Sequence, residues 1–515
     1  MTFYARARRQ KHPSIHDPAV RSLRLAVLKA AGINLLVLQL LFLGLFCYLF
    51  GSLFQQTTHV HNLNVVFVDY DGGVIGEAVR AAYEQLQGPG FPTLTEHATA
   101  QYPQSDAIIA AVCHIDYWGG LYIAPNASNE LAAALASGAP HSPDDVLSLV
   151  WNEARYSTVV DSAIYTSMQT LSNAARIAYT TALTPDTLTN SLTNTNANNN
   201  TTLTTLSQPW TLTSTNLQPT TQGSRLIYNT LVIILIMIQE FFYLGYINSV
   251  YQQFHLYTAV SPHRIAIIRQ LLAGTYTLLG SLSTTGAIWA FRYGWHVSGG
   301  QFVLTWLALW LFAHLNFLVL DLFTIWIPPP FVPMAFISWI VANVTSILLP
   351  FELAPAFYRW GYALPAHAVF QVIVDVWSRG CNPQLGYALP VLFGFEVLGL
   401  LGSTVGVYRR ANYAVLDKEK GEREWQEKVA AAVAGRLAIE KETGELGERS
   451  EGEGSSAGPG PGQVGDAAAA MAMAGPGEEQ DEERMDQLAR ELSHVERSAT
   501  RRQKPGPCFD LPFTE

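Results

Sequence analysis

The chain has 515 residues, of which 49% are hydrophobic and only 14% charged, with a formal net charge of −10. A soluble domain carries roughly 25% charged residues, so this composition argues against a soluble globular protein. Residues 412–515 hold 22 acidic and 13 basic side chains, which confines nearly all the acidity to a tail. A near-neutral body with an acidic appendage is not a nucleic-acid binder.

Residues 1–29 are basic: Arg6, Arg8, Arg9, Lys11, Arg21, Arg24 and Lys29 stand against Asp17. Residues 30–54 are almost wholly apolar. A span needs ~20 such residues, because each backbone amide in lipid must bond within its own helix. The run is too long and begins too late for a cleavable signal peptide. It predicts a first transmembrane helix with the basic end in the cytoplasm.

Residues 55–224 are patterned as an extracytoplasmic α/β domain. Residues 63–68 read as a strand, Asp69-Tyr70-Asp71-Gly72-Gly73 as a turn and 74–87 as a helix. Further strands are expected at 107–113 and 117–123, a helix at 128–136 capped by Ser128 or Asn129, and one long helix over 146–182. The Thr/Asn-rich stretch 184–215 cannot supply a core and reads as flexible. Asn126, Asn199 and Asn200 open glycosylation sequons. Residues 65–72 resemble the strand-plus-DxD opening of haloacid-dehalogenase phosphatases, but the downstream Lys and acidic pair are missing. Turn chemistry is the stronger reading of Asp69 and Asp71. His59-Val60-His61 has no third ligand at a suitable spacing, so no metal site is expected. No phosphate loop, nucleophile elbow or zincin motif occurs; the sequence points to no enzyme and no cofactor.

Five more spans follow at 226–250, 270–291, 302–327, 331–349 and 387–408, the fourth and fifth joined by Pro328-Pro329-Pro330. Arg269 and Arg292 flank the third span, and Arg409-Arg410 close the sixth. Residues 350–386 are too short to cross twice and read as re-entrant or interfacial, with Trp360, Tyr362 and Trp377 in the interfacial belt. Six crossings return the tail, residues 409–515, to the cytoplasm as a largely disordered segment. Within it Trp425, Val429, Val433 and Leu437 mark an amphipathic helix broken at Gly435. Cys113 and Cys381 fall on the same outer side, where an oxidising lumen permits a disulfide.

Ionisable groups within spans are expensive and are functional-site hypotheses by default. Glu240, His314, Asp321 and Glu396 are the four. Counting along the helices puts His314 and Glu396 at one depth and Glu240 and Asp321 at another. One reading is a proton or substrate path; the other is interhelical hydrogen bonding with groups such as Asn316.

Several segments are similar to the fungal nitrosoguanidine-resistance membrane protein family. They are 65–76, Tyr117-Trp118, Ala127-Ser128, Trp151-Asn152-Glu153-Ala154-Arg155-Tyr156, Pro209-Trp210, Gln218-Pro219-Thr220 and 222–230. Pro350-Phe351-Glu352, Trp360-Gly361-Tyr362-Ala363-Leu364-Pro365 and Trp377-Ser378 complete the set. That family looks like the membrane part of type-2 ABC exporters. The resemblance implies a plasma-membrane protein contributing to resistance to toxic compounds or to lipid distribution between leaflets. It implies membrane lipids and small toxic compounds as contacts, with a homodimer or a separate ATPase as partner. The alternative is a non-transporting regulator or scaffold acting through a lipid flippase or efflux ATPase.

Overall fold

The computed structural model describes residues 17–137, 141–182, 199–220 and 230–452. Residues 1–16, 184–198 of the Thr/Asn-rich stretch, the 222–229 motif, the expected start of the second span and 453–515 of the tail lie outside the described residues. Among the described residues six helices are long and apolar enough to cross a membrane, and the protein is a multi-pass membrane protein. The first, α1 (Arg21–Ser52), keeps Leu25, Leu36 and Phe46 exposed along its length, a surface that water would not tolerate but lipid does.

After α1 comes an α/β unit built on a five-stranded sheet in the order β2-β1-β3-β4-β5. Its strands are β1 (Asn64–Asp69), β2 (Thr93–His97), β3 (Gly119–Ile123), β4 (Leu147–Trp151) and β5 (Leu212–Asn216). All neighbours pair in parallel except β3 and β4. Along β1 the pleat alternates faces. Val65 and Phe67 pack with α2 (Val74–Leu86), α4 (Ala127–Ser137) and α5 (Thr166–Ala182), whereas Val66 and Val68 pack with α3 (Ser105–Cys113).

Two expectations for this unit need correction. Residues 107–113 are helix, not strand: Ile108, Ala111 and Val112 are buried at helical spacing, which a short apolar run cannot declare on its own. Residues 146–182 are not one helix. Leu147, Leu149, Val150 and Trp151 are buried in β4, and a strand covered on both faces lacks the alternation that would announce it. A turn with Tyr156 at φ 51°, a helical turn Ser157–Val159 and a π-helical Val160–Tyr165 then lead into α5. The stretch 184–215, expected to be flexible and to supply no core, instead forms α6 (Asn199–Ser207) and most of β5 and buries Trp210 fully, among its described residues.

The remaining spans are α7 (Thr230–Gln253), α9 (Pro262–Ala290), α10 (Gly299–Trp326), α11 (Val332–Leu348) and α13 (Leu385–Gly452), with a short α8 (Leu256–Ala259) after α7. Between α11 and α13 lie a 3-10 turn, Ala356–Ala363, and α12 (Pro365–Trp377). Trp377, expected at the membrane interface, faces the protein interior rather than a lipid-exposed surface. It is buried and donates from Nε1 to Thr305 Oγ1 at 3.1 Å. Ser298 and Gln301 form a capping box at the start of α10. Gln301 Nε2 also donates to the Val376 and Trp377 carbonyls at 3.0 and 3.2 Å, and Asn343 Oδ1 accepts from Ala366 N at 3.1 Å. Side chains of α10 and α11 thus satisfy both ends of α12.

Among the described residues, those up to 241 together with 271–402 form one compact unit, and 242–270 with 403–452 form a second. In the second, Arg269 is not a loop residue. It lies within α9, fully buried, donating from Nη2 to Asn248 Oδ1 at 2.9 Å with its guanidinium 5.4 Å from the Tyr251 ring. Hydrogen bonding of this kind is what lets a charge leave water. Arg409-Arg410 do not close the last helix, and Gly435 does not break it: α13 continues to Gly452. A single glycine costs a helix only about 1 kcal/mol relative to alanine.

Two predictions follow from this packing. A Cβ at Gly120 would collide with Ile108 Cγ2 and stand 3.3 Å from Val66 Cγ1. Gly120→Val should therefore lower the stability of the detergent-solubilised chain by about 1–3 kcal/mol, read as a lower thermal midpoint. His367, 3% exposed, donates from Nδ1 to Ser346 O at 2.9 Å. Burial holds its pKa down from 6.5 to about 4, the Ser346 carbonyl opposing. Between those values the unfolded chain binds the proton and the folded chain does not, so stability falls as pH drops through that window. The loss approaches about 3 kcal/mol. Denaturant midpoints at pH 7 and pH 4.5 should show most of that loss in the wild type and much less in His367→Gln.

Candidate functional site

Helices α10 and α13 run side by side in the same direction. His314, Leu318 and Leu322 recur every four residues on α10, while Glu396, Gly399 and Gly402 recur every three on α13. A Cβ on Gly399 would stand 2.7 Å from Leu318 Cβ, and one on Gly402 2.6 Å from Leu322 Cδ2. Small residues let the backbones approach this closely, the usual device of helix packing in lipid. The seam brings His314 Nδ1 to 2.6 Å from Glu396 Oε1, with side chains 13% and 14% exposed. Among the described residues, His314 Nε2 and Glu396 Oε2 have no hydrogen-bond partner.

This pair lines a cavity of about 920 Å³ between α10, α12 and α13. The cavity follows α10 from Ser298 to His314, on the order of 24 Å at 1.5 Å per residue. Its walls are apolar, and Leu304, Leu307 and Phe393 remain 54%, 42% and 53% exposed. Polar groups gather at Ser298, Asp375 and Arg379 and again at His314 and Glu396. A long apolar slot with a few placed polar groups is the ordinary form of a small-molecule site.

Residues 34–401 match the model of a family described as a protein of unknown function, DUF3533. The chain belongs to this family. The matched region runs from within α1 to the seam on α13 and stops short of the acidic tail. No solved structure matches the chain.

The four ionisable residues singled out within the spans of this DUF3533 protein divide. The fold brings His314 and Glu396 together. Glu240 on α7 is fully buried, its carboxylate without a hydrogen-bond partner among the described residues, and Asp321 is fully buried on α10. Neither lines the cavity. Asp375 and Arg379 do line it and were missed in the sequence. Their signal was present only as charges at the end of an otherwise apolar stretch.

The other sequence candidates resolve locally. Asp69 Oδ1 accepts from the amides of Asp71 and Gly72 at 3.1 and 2.9 Å, and Asp69 Oδ2 pairs with Arg80 Nη2 at 2.8 Å. Asp71 accepts from Gly73 N and Ser128 N at 3.2 and 3.0 Å and from the Ser128 hydroxyl. Both acids are consumed by the turn. Ser128 is not the cap of its own helix. It lies inside α4, and its Oγ accepts from Ile75 N at the start of α2, at 3.2 Å. Asn126 is exposed, at φ 61° in the turn before α4. Asn199 and Asn200 open α6. Among the described residues no cluster of three metal-ligating side chains occurs. The structure joins Cys113 to Cys381 by a disulfide.

The seam makes a testable demand. With Leu318→Cys and Gly399→Cys together, oxidation should cross-link α10 to α13, because the Cβ positions already meet there. Adding Gly402→Leu should push the helices apart and cut that yield at least fivefold.

Proposed function

We propose that this DUF3533 protein is transporter-like, of the type-2 ABC exporter permease kind. In this reading it lowers the accumulation of toxic hydrophobic compounds or adjusts lipid distribution between leaflets of the plasma membrane. The observation that carries the reading is the apolar cavity ending on the His314–Glu396 pair. Its exposed leucine and phenylalanine wall suits entry from the bilayer, and a buried pair of titratable groups suits a step that binds or releases a proton.

The proposed orientation puts both termini in the cytoplasm and the α/β unit outside. The basic N-terminal segment favours it, and the Cys113–Cys381 bond suits an oxidising compartment. Resemblance to the nitrosoguanidine-resistance family supports the choice of compound class. A homodimer or a separate ATPase remains part of the proposal for the energy source.

Purified full-length protein in liposomes tests it, with a fluorescent lipid and a hydrophobic dye as cargo, with and without a pH gradient. Wild type should accelerate movement, and His314→Ala and Glu396→Gln should each slow it at least tenfold. Full activity in both variants removes the path. Inert protein that co-purifies with an ATPase favours the regulator instead.

A further inference from the structure

A second cavity, of about 310 Å³, lies on the other side of α12. Val372, Asp375 and Val376 face the apolar cavity, whereas His367, Phe370, Gln371 and Val374 face this one. Its remaining wall comes from the α/β unit through Trp118, Arg155 and Tyr156, and from the segment after α11 through Phe351, Glu352 and Tyr362. Segments far apart in the sequence therefore meet around one polar space.

The charges in that space are arranged in an unusual way. The Arg155 guanidinium stacks 4.0 Å from the Trp118 ring, its protein hydrogen bond being a long one from Nη1 to Tyr117 O at 3.4 Å. Glu352 and Asp116 also line the cavity. Among the described residues neither carboxylate forms an ion pair with Arg155, although Glu352 is close enough to influence it electrostatically. A half-buried guanidinium with carboxylates nearby normally takes one at contact distance. Here the opposite charges are held apart across a cavity. The Tyr156 hydroxyl is the second signal. Tyr156 is 5% exposed, lines the same cavity and holds a hydroxyl with no hydrogen-bond partner among the described residues. A buried polar group left unmatched costs about 1–3 kcal/mol, a cost that a ligand can remove.

We propose that this cavity binds a small zwitterion carrying a primary ammonium and an acidic group a few bonds apart. Arg155 and the Tyr156 hydroxyl take the acidic end, and Glu352 and Asp116 take the ammonium. A simple anion would meet two carboxylates and a simple cation would meet the guanidinium, so each is disfavoured alone. The Tyr362 ring, beside Glu352, adds a surface on which an ammonium is stabilised. Burial lowers the Arg155 pKa to about 10, Glu352 opposing, so the guanidinium stays charged at neutral pH. Cys113 precedes Ile115 and Asp116 on one wall, and Cys381 precedes Asn382 on another; the disulfide closes the site at that corner. This chemistry is shared by aminophospholipid headgroups and free amino compounds, and it stands independently of the transport reading.

Calorimetry on the full-length protein in detergent tests the site with glycerophosphoethanolamine as probe, and with ethanolamine and inorganic phosphate as half-ligands. Saturable binding of the zwitterion at least tenfold tighter than either half-ligand is expected. Arg155→Gln and Glu352→Gln should each weaken it at least tenfold. Tyr156→Phe should weaken it three- to tenfold while leaving the thermal midpoint unchanged or raised, because it deletes only the unmatched hydroxyl. In nanodiscs, displacement of the probe by phosphatidylethanolamine but not phosphatidylglycerol identifies a headgroup site; retention of the probe in both identifies a soluble zwitterion. Phosphate binding as tightly as the zwitterion, no binding of the probe, or probe binding unchanged in Tyr156→Phe and both charge variants overturns the proposal.

Discussion

Everything near the two cavities depends on how the protein satisfies the ends of α12. A 13-residue helix is about 20 Å long and cannot cross a bilayer, yet it is packed among helices that do. Its terminal amides and carbonyls therefore need partners from the protein. Asn343 supplies one for Ala366 N, and Gln301 supplies two at the other end, for Val376 and Trp377. Each such bond contributes only about 1 kcal/mol net, but an unmet group in this setting costs more. The geometry follows from that asymmetry. Gln301 clamps the end of α12 to the start of α10, and the apolar cavity lies between these two helices and α13.

The spans were legible in the sequence because lipid imposes one strong rule, that of internal backbone bonding, and long charge-free runs obey it visibly. Their ends were less so. The expected third span starts eight residues too late because Arg269 reads as a boundary charge, and its pairing with Asn248 is a tertiary fact. The sixth overshoots its arginine pair for the same reason: a helix does not stop at a charge unless solvation or a cap stops it. In the α/β unit, β1 and α2 were clear from their own periodicities. Residues 107–113 and β4 were not, since burial on both sides erases the alternation and an alanine-rich apolar run fits either element.

The candidate site divides in a similar way. His314 and Glu396 could be placed at one height by counting residues, but not side by side, because their meeting depends on Gly399 and Gly402 bringing the backbones close. Glu240 and Asp321 satisfied the same counting argument and line neither of the two cavities described. Residue type and depth thus select candidates, while contact is decided by small residues that carry no chemistry themselves. Arg155 presents the converse. It lies in the stretch 146–182, where an arginine on a helix would pass as a solvated charge, and only the strand-turn-helix path through Tyr156 at φ 51° delivers it to the second cavity.

The two cavities share α12 but differ in the work their charges can do. His314 and Glu396 are in contact and satisfy each other across the seam, and the slot beyond them is lined by apolar side chains; that slot selects by shape and apolar surface. Arg155 and Glu352 are kept apart, so each retains an unspent demand for a partner. Separation is costly in a poorly solvated space, and it persists only because the surrounding structure holds both residues in place. Trp118 stacks on the guanidinium, Asn62 donates to the Glu352 carbonyl at 2.9 Å, and the Cys113–Cys381 bond with the Asn152–Cys381 hydrogen bond at 3.1 Å ties the α/β unit to the segment after α12. Contacts that keep opposite charges from collapsing onto each other are what the proposed preformed site requires.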